Sequence, residues 1–246
     1  MSELIPKNIR GGADALALVG FEEGGPGQVH SWLAAASGLR VACFVNPGAE
    51  PPRIDIASER AKRDSHLFEF PLPDSFKGLP LLTSSRWCEV LVDQGVRQAL
   101  VYLSDLRRAQ AAIAEARAAK LTLVNAIHPS ALVLPDARLA DNIVLHARAF
   151  VGYRADLSPG VVLNTGAQVD HHNVIGECAT LDPGVITAGN VTIGPRARLH
   201  TGAIVKNRIR IGADAVVGAG SVIIRDVPDA TVVAGVPGRV LRRLES

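Results

Sequence analysis

Aromatic side chains are scarce, only 4% of the 246 residues with two Trp and two Tyr, so the chain lacks the stacking platforms that bind single-stranded nucleic acid. An excess of one charge is missing too. Lys and Arg number 26 against 24 Asp and Glu, a formal net charge of +2, which draws in neither nucleic acid nor an anionic membrane. The densest basic group, Arg239, Arg242 and Arg243, lies near the C-terminus. Cysteine is sparse: Cys43, Cys88 and Cys178 show no CxxC or Cys/His metal spacing, and an odd count without a framework fits a reducing compartment. No stretch approaches the roughly 18 apolar residues needed to span a bilayer. The opening MSELIPKNIRGGAD has charge but no apolar segment of a secretion signal. A cytoplasmic protein of one or two domains, with no membrane or nucleic-acid partner, is the expectation.

What the chain does have is a period of six. Every sixth residue from Val133 to Ile223 is aliphatic in fifteen of sixteen cases, Thr187 being the exception. The residues four further on, from Ala137 to Val227, are Ala, Val or Ile except at Asn173 and Ser221. The phase never slips. A helix needs a 3.6 period and a half-buried strand a period of two, so a strict six implies short strands joined by turns, with the large residue inside and the small one at a tight corner. Gly follows the large residue at Gly176, Gly194, Gly212 and Gly218, which suggests backbone angles closed to other residues. Three hexads close a triangular coil, giving about five stacked coils of parallel strands.

The first half reads differently. ALALV is an apolar strand before Gly20, Gly24, Gly25 and Gly27 make a turn, and a helix runs over Gln28–Ser37 before the strand VACFV. RQALVYL, LRRAQAAIAEARAAK and LTLVNAI follow as strand, helix and strand. Alternating strands and helices indicate a small Rossmann-like parallel α/β sheet, with ligands at the C-terminal strand ends. The glycine turn is either a tight turn only or a loop whose amides meet a phosphate at a helix N-terminus. Glu22 and Glu23 place negative charge where a diphosphate would lie.

The segments IHPSALVLPDARLADN, VVLNTGAQVDHHNVIGE and VVAGVPGRVLRR resemble the sialic-acid O-acetyltransferase and bacillosamine N-acetyltransferase group of hexapeptide-repeat acyltransferases. The resemblance covers residues 127–243 closely and 14–126 loosely. It implies a left-handed parallel β-helix over residues 127–246 behind an acceptor-binding domain over 1–126. It further implies a homotrimer that acetylates a sugar or nucleotide-linked amino sugar, at N or O, in surface glycan synthesis. Acetyl-CoA would be the donor, without a metal. Gly25, Gly27, Gln28 and Asn46 would contact the acceptor; Asn46 stands where the group commonly has an acidic residue. Residues 48–78, with Arg53, Arg60, Lys62 and Arg63, form an inserted basic arm relative to the group's compact version.

The same resemblance supplies the chemistry. An acidic residue followed by the base histidine maps onto Asp170 and His171, and the active-site asparagine of an NT motif onto Asn164. A histidine suits general-base work near neutrality, and a carboxylate can fix its tautomer. His172 replaces the usual Asp or Glu and either binds the acceptor or is merely exposed. Thr180 replaces a second histidine. Gly189, Gly202, Ala219 and Gly220 would lie along the coenzyme, near His200, and Arg239 or Arg242 would meet its phosphorylated end. Two other β-helix functions compete: an acyl-carrier-dependent long-chain acyltransferase and a non-catalytic sugar-binding scaffold. A hydratase of the carbonic-anhydrase type is disfavoured because His146, His171, His172 and His200 lack its histidine spacing.

Overall fold

The computed structural model describes residues 4–50 and 69–245. The chain divides into two compact units, Met1–Val124 and Asn125–Ser246. The basic residues Arg53, Arg60, Lys62 and Arg63 of the inserted arm lie outside the described residues.

In the first unit one sheet takes the spatial order Ser75–Phe76, Leu79–Thr83, Arg40–Asn46, Ala15–Val19, Gln98–Val101 and Thr122–Leu123. Neighbours run parallel except the first pair. Ala15–Val19 is buried at all five positions, as expected of a central strand covered on both faces. The helix Leu106–Ala118 starts where Asp105 accepts the amides of Arg107 and Arg108 at 3.0 and 3.1 Å, satisfying donors that a helix leaves unpaired. It buries Ala109, Ala112, Ile113 and Ala116 along one stripe. Burial pushes the thiols of Cys43 and Cys88 up to about 12, and none of the three cysteines is in a disulfide.

The segment LTLVNAI is two strands rather than one. Thr122–Leu123 closes the first sheet, while Ala126–Ile127 opens the second unit. Asn125 breaks the run: its side chain donates to the Ala140 carbonyl at 2.9 Å and accepts the Ile143 amide at 2.8 Å.

The second unit is a left-handed β-helix of two-residue strands in three parallel sheets. Each strand pairs with the one a full coil away: Leu145 with Leu163 on the first face, Val151 with Val169 on the second, Leu157 with Ile175 on the third. The first face ends in an antiparallel pair, Thr231–Gly235 with Gly238–Arg243. Large and small residues of each hexad both point inward and form one core. The small residue does sit at the corner, where it closes the turn as Ala167 does by donating to the Asn164 carbonyl at 2.9 Å, and from there its side chain also turns in. Two of the three polar exceptions, Asn173 and Thr187, meet inside. Asn173 donates to the Thr187 hydroxyl at 2.7 Å and accepts the Val191 amide at 2.6 Å, so neither is left unpaired when buried.

The glycines after the large residues also have a different cause. Left-handed angles fall two positions later, at Cys178, Arg196 and Asp214. At Gly176 and Gly194 a Cβ would run into the next coil, 2.6 Å from the nitrogen of Pro195 and 2.5 Å from that of Ala213. Close stacking, not backbone strain, demands glycine there.

Candidate active site

Each coil turns three corners, one after each face. Asp170, His171 and His172 form the corner after the strand Gln168–Val169 on the second face. The chain can turn tightly because His172 takes the left-handed conformation, with φ 58°, before Asn173 returns to the core. Coils above and below hold this corner. The His172 amide donates to the Tyr153 carbonyl at 2.8 Å, and the Asn190 amide donates to the His171 carbonyl at 2.9 Å. Gly152, one coil before, lets the Asp170–His171 backbone approach: a Cβ there would stand 2.9 Å from the Asp170 carbonyl carbon.

The side chains are arranged differently from a carboxylate–imidazole pair. The Asp170 carboxylate accepts the backbone amide of His171 at 2.7 Å. The His171 ring is held instead by His172, Nδ1 to Nδ1 at 3.0 Å, with the rings at 85°. His172 also sets its ring edge-on to Tyr153 at 5.4 Å, and the Arg154 guanidinium lies 5.1 Å from the Tyr153 ring. A groove of about 630 Å³ beside His172 is lined by Pro135, Asp136, Ala137, Arg138, Arg154 and Asp156. Gly189 lies one coil after His171. It is buried, and the imidazole fills the space its missing side chain would need.

Asn164 stands at another corner, after the strand Val162–Leu163 of the first face. Its Oδ1 accepts the Thr165 amide at 2.9 Å. One chain therefore does not bring Asn164 to His171, because a strand of the second face separates them. One coil above Asn164 is Asp182, 7% exposed. Its carboxylate accepts from His200 Nδ1 at 2.9 Å and from Arg198 Nε at 3.3 Å. Sequence reasoning noted His200 but missed Asp182; a step of eighteen residues from one to the other would have paired them. Gly166, Gly184, Gly202 and Gly220 climb this corner in left-handed conformations with open space where side chains would be. Ala219 is exposed beside Gly220. At the coil base His146 is 1% exposed, and burial, aided by nearby His128, lowers its pKa to about 4. Arg239 is exposed and donates to the Gly238 carbonyl at 3.2 Å. Among the described residues no group of three or more His, Cys, Asp or Glu is placed to hold a metal.

In the first unit the glycine turn is not an open loop. Glu23–Gly27 forms a helical turn that runs into the helix Gln28–Ser37. The amides of Gly25 and Gly27 both donate to the Glu22 carbonyl, at 3.2 and 3.0 Å. The reading in which these two amides meet a phosphate is corrected accordingly, since each already has a partner. The two carboxylates are tied back: Glu22 accepts from the Ser104 hydroxyl at 2.6 Å and Glu23 from Lys77 at 2.9 Å. Asn46 ends its strand buried, its side chain donating to the Glu50 carbonyl at 2.8 Å. Sheet order reverses at Ala15–Val19, between Arg40–Asn46 and Gln98–Val101, so the strand ends bearing Gly20 and Tyr102 flank the crevice where such sheets take ligands.

A hexad-built β-helix with a histidine corner, carried by a chain with a Rossmann-like unit, defines a hexapeptide-repeat acyltransferase. A scan against protein-family models gives no match, and neither does a search of curated proteins. Solved structures do match. A histidine-to-alanine variant of GDP-perosamine N-acetyltransferase from Caulobacter crescentus, in complex with CoA and GDP-perosamine, is 30% identical with a TM-score of 0.79 over 94% of this chain and 98% of that one. The acetyltransferase domain of PglB from Neisseria gonorrhoeae, in complex with acetyl coenzyme A, is 29% identical with a TM-score of 0.76 over 94% and 100%. WeeI from Acinetobacter baumannii shares the fold, at 14% identity and a TM-score of 0.58 over 92% and 99%. The chain belongs to the nucleotide-sugar N-acetyltransferases of the hexapeptide-repeat group, and it is an acetyltransferase.

Proposed function

We propose that this protein moves the acetyl group of acetyl-CoA onto the amine of a nucleotide-linked amino sugar, with His171 as general base, in cytoplasmic synthesis of a surface glycan. The observation that carries the reading is the His171 ring itself. Its Nδ1 is engaged by His172, while among the described residues Nε2 meets no hydrogen-bonding partner, at an exposed corner. The 30%-identical enzyme holds CoA and GDP-perosamine in its complexes, and two of its structures carry substitutions of a single histidine.

In the reaction the acceptor amine attacks the thioester carbonyl carbon as His171 Nε2 takes its proton. The tetrahedral intermediate then collapses, the C–S bond breaks, and the imidazolium returns the proton to the departing CoA thiolate. Residues 127–246 supply base and donor site; the bare glycine corner at Gly202 and Gly220, with Ala219, suits an extended pantetheine arm, and Arg239 its phosphates. Residues 1–126 select the acceptor at the strand ends near Gly25, Gly27, Gln28 and Asn46.

The working form is a trimer. The second face turns Leu132, Phe150, Gln168, Ile186, Ile204 and Val222 outward, and Leu132, Ile186 and Ile204 are 57%, 40% and 43% exposed. An apolar row of this kind suits a second copy of the chain. It also runs between the His171 corner and the Asn164 corner, so a second copy packed here completes the site with its own Asn164. CoA thiol release, measured with acetyl-CoA and a panel of GDP- and UDP-linked amino sugars, should identify the acceptor. His171→Ala should lower turnover by about 10²–10⁴-fold, and sedimentation should give three times the 25.9 kDa chain. Near-normal turnover of H171A, or a fully active monomer, refutes the shared histidine site.

A further inference from the structure

We propose that His172 is the positioning residue that makes His171 a base, by accepting its Nδ1 proton. The inference rests on the reading of His171 above and adds the group that fixes its tautomer.

The two Nδ1 atoms are 3.0 Å apart, a hydrogen bond that holds one proton between two nitrogens. In one neutral arrangement His171 Nδ1–H donates to the bare Nδ1 of His172. His171 Nε2 then carries a lone pair and can take a proton from the acceptor. In the other, His172 donates and His171 carries its proton on Nε2, where it cannot act as base. Catalysis requires the first. Asp170 does not make this choice, because its carboxylate meets the His171 backbone amide at 2.7 Å, while the ring Nδ1 is bonded to His172. The corner holds His172 in place for the task. Its backbone sits in the left-handed region with φ 58°, its amide is bonded to the Tyr153 carbonyl, and its ring abuts Tyr153 edge-on.

A pH dependence follows. Histidine changes charge between pH 5 and 8, and a protonated His172 can only donate. It would turn His171 Nδ1 into an acceptor and move the His171 proton to Nε2. A proton anywhere on the pair therefore stops the reaction. The charged groups facing the pair are Asp170 on its own turn, Arg154 and Asp156 one coil before, and Asp136 and Arg138 across the groove; Tyr153 packs against it and Asn190 caps it from above.

The test uses the full-length protein. In ¹⁵N-histidine NMR at pH 8, His171 should appear as the Nδ1–H tautomer and His172 as the Nε2–H tautomer. His172→Ala should lower kcat by about 10–100-fold, the usual worth of a histidine's supporting partner, with both KM values within a few-fold. His172→Asn should recover most of that loss, since asparagine tolerates left-handed angles and its Oδ1 can accept the proton. The acid limb of log kcat/KM should be steeper in the wild type than in H172N by the one proton that His172 adds, the acceptor amine contributing equally to both. An Nε2–H tautomer at His171, a wild-type kcat in H172A, or an acid limb as steep in H172N as in the wild type overturns the proposal. H171A separates the two readings. If H171A is inactive while H172A is normal, only the role of His172 falls; if H171A stays active, the base itself is misassigned.

Discussion

Gly189→Ala tests whether the observed His171 ring position is the working one. A methyl at residue 189 would stand 2.8 Å from His171 Nδ1 and closer still to Nε2 and Cε1, where carbon contacts rest at about 3.5–4.0 Å. The Gly189 backbone is not among the left-handed positions, so alanine suits the backbone, and the nearest conflict is with the ring. His171 is exposed and can swing aside, which should keep the loss of stability below about 1 kcal/mol, as for ordinary surface changes. The ring must move by about 1 Å or more, and a misplacement of that size costs about 10²-fold in rate, or about 2.7 kcal/mol of barrier. Steady-state acetyl transfer should show this loss in kcat, with the acetyl-CoA KM changed little. The double variant H171A/G189A should be no slower than H171A, because the glycine acts only through the ring. A G189A enzyme within threefold of the wild-type kcat would refute the ring position. A rise in the acetyl-CoA KM with kcat intact would assign Gly189 to the donor track alone.

Asn173→Leu should destabilise the fold by about 2–4 kcal/mol, because it orphans the buried Val191 amide and removes one of the two partners of the Thr187 hydroxyl, leaving its bond to the Gln168 carbonyl. Chemical denaturation measures it, and a loss under about 0.5 kcal/mol would show that the internal polar pair is dispensable. His146 predicts an acid sensitivity. Its folded pKa of about 4 lies below the ordinary histidine value of about 6.5, so the unfolded chain takes up the proton first. Its contribution is constant above about pH 6.5, falls as pH drops toward 4, and then levels off, a loss of roughly 3 kcal/mol. His146→Gln should flatten that part of the stability–pH curve; an unchanged slope would place the acid sensitivity elsewhere.

The period of six carried the β-helix because each coil repeats the same demand, two inward apolar side chains per strand. The sequence could not say which backbone constraint each glycine met. Gly176 avoids the backbone of the coil above, while Gly202 takes a left-handed turn, and both read simply as Gly. LTLVNAI reads as one strand because its apolar run is continuous, whereas the break at Asn125 depends on carbonyl and amide partners 15 and 18 residues away. In the first unit the strands and helices were legible, but the state of the Gly25 and Gly27 amides was not, since a glycine-rich turn can be open or helical with the same composition.

At the histidine corner a coil of eighteen residues turns spacing into neighbourhood: Tyr153, His171 and Gly189 stack by arithmetic, and Asn164, about one hexad before His171, belongs to a different corner. Such counting places Cα atoms. It does not place protons, because hydrogen bonding at a turn is decided by χ angles that leave the period untouched. Asp170 could have faced the imidazole, yet a corner residue lies within reach of the next backbone amide and takes it, as Asn164 does at its own corner. That local bond leaves the imidazole to the next side chain in the turn. The partner that orients His171 is therefore set by the competition between a carboxylate and an imidazole at adjacent positions, and the corner geometry favours His172.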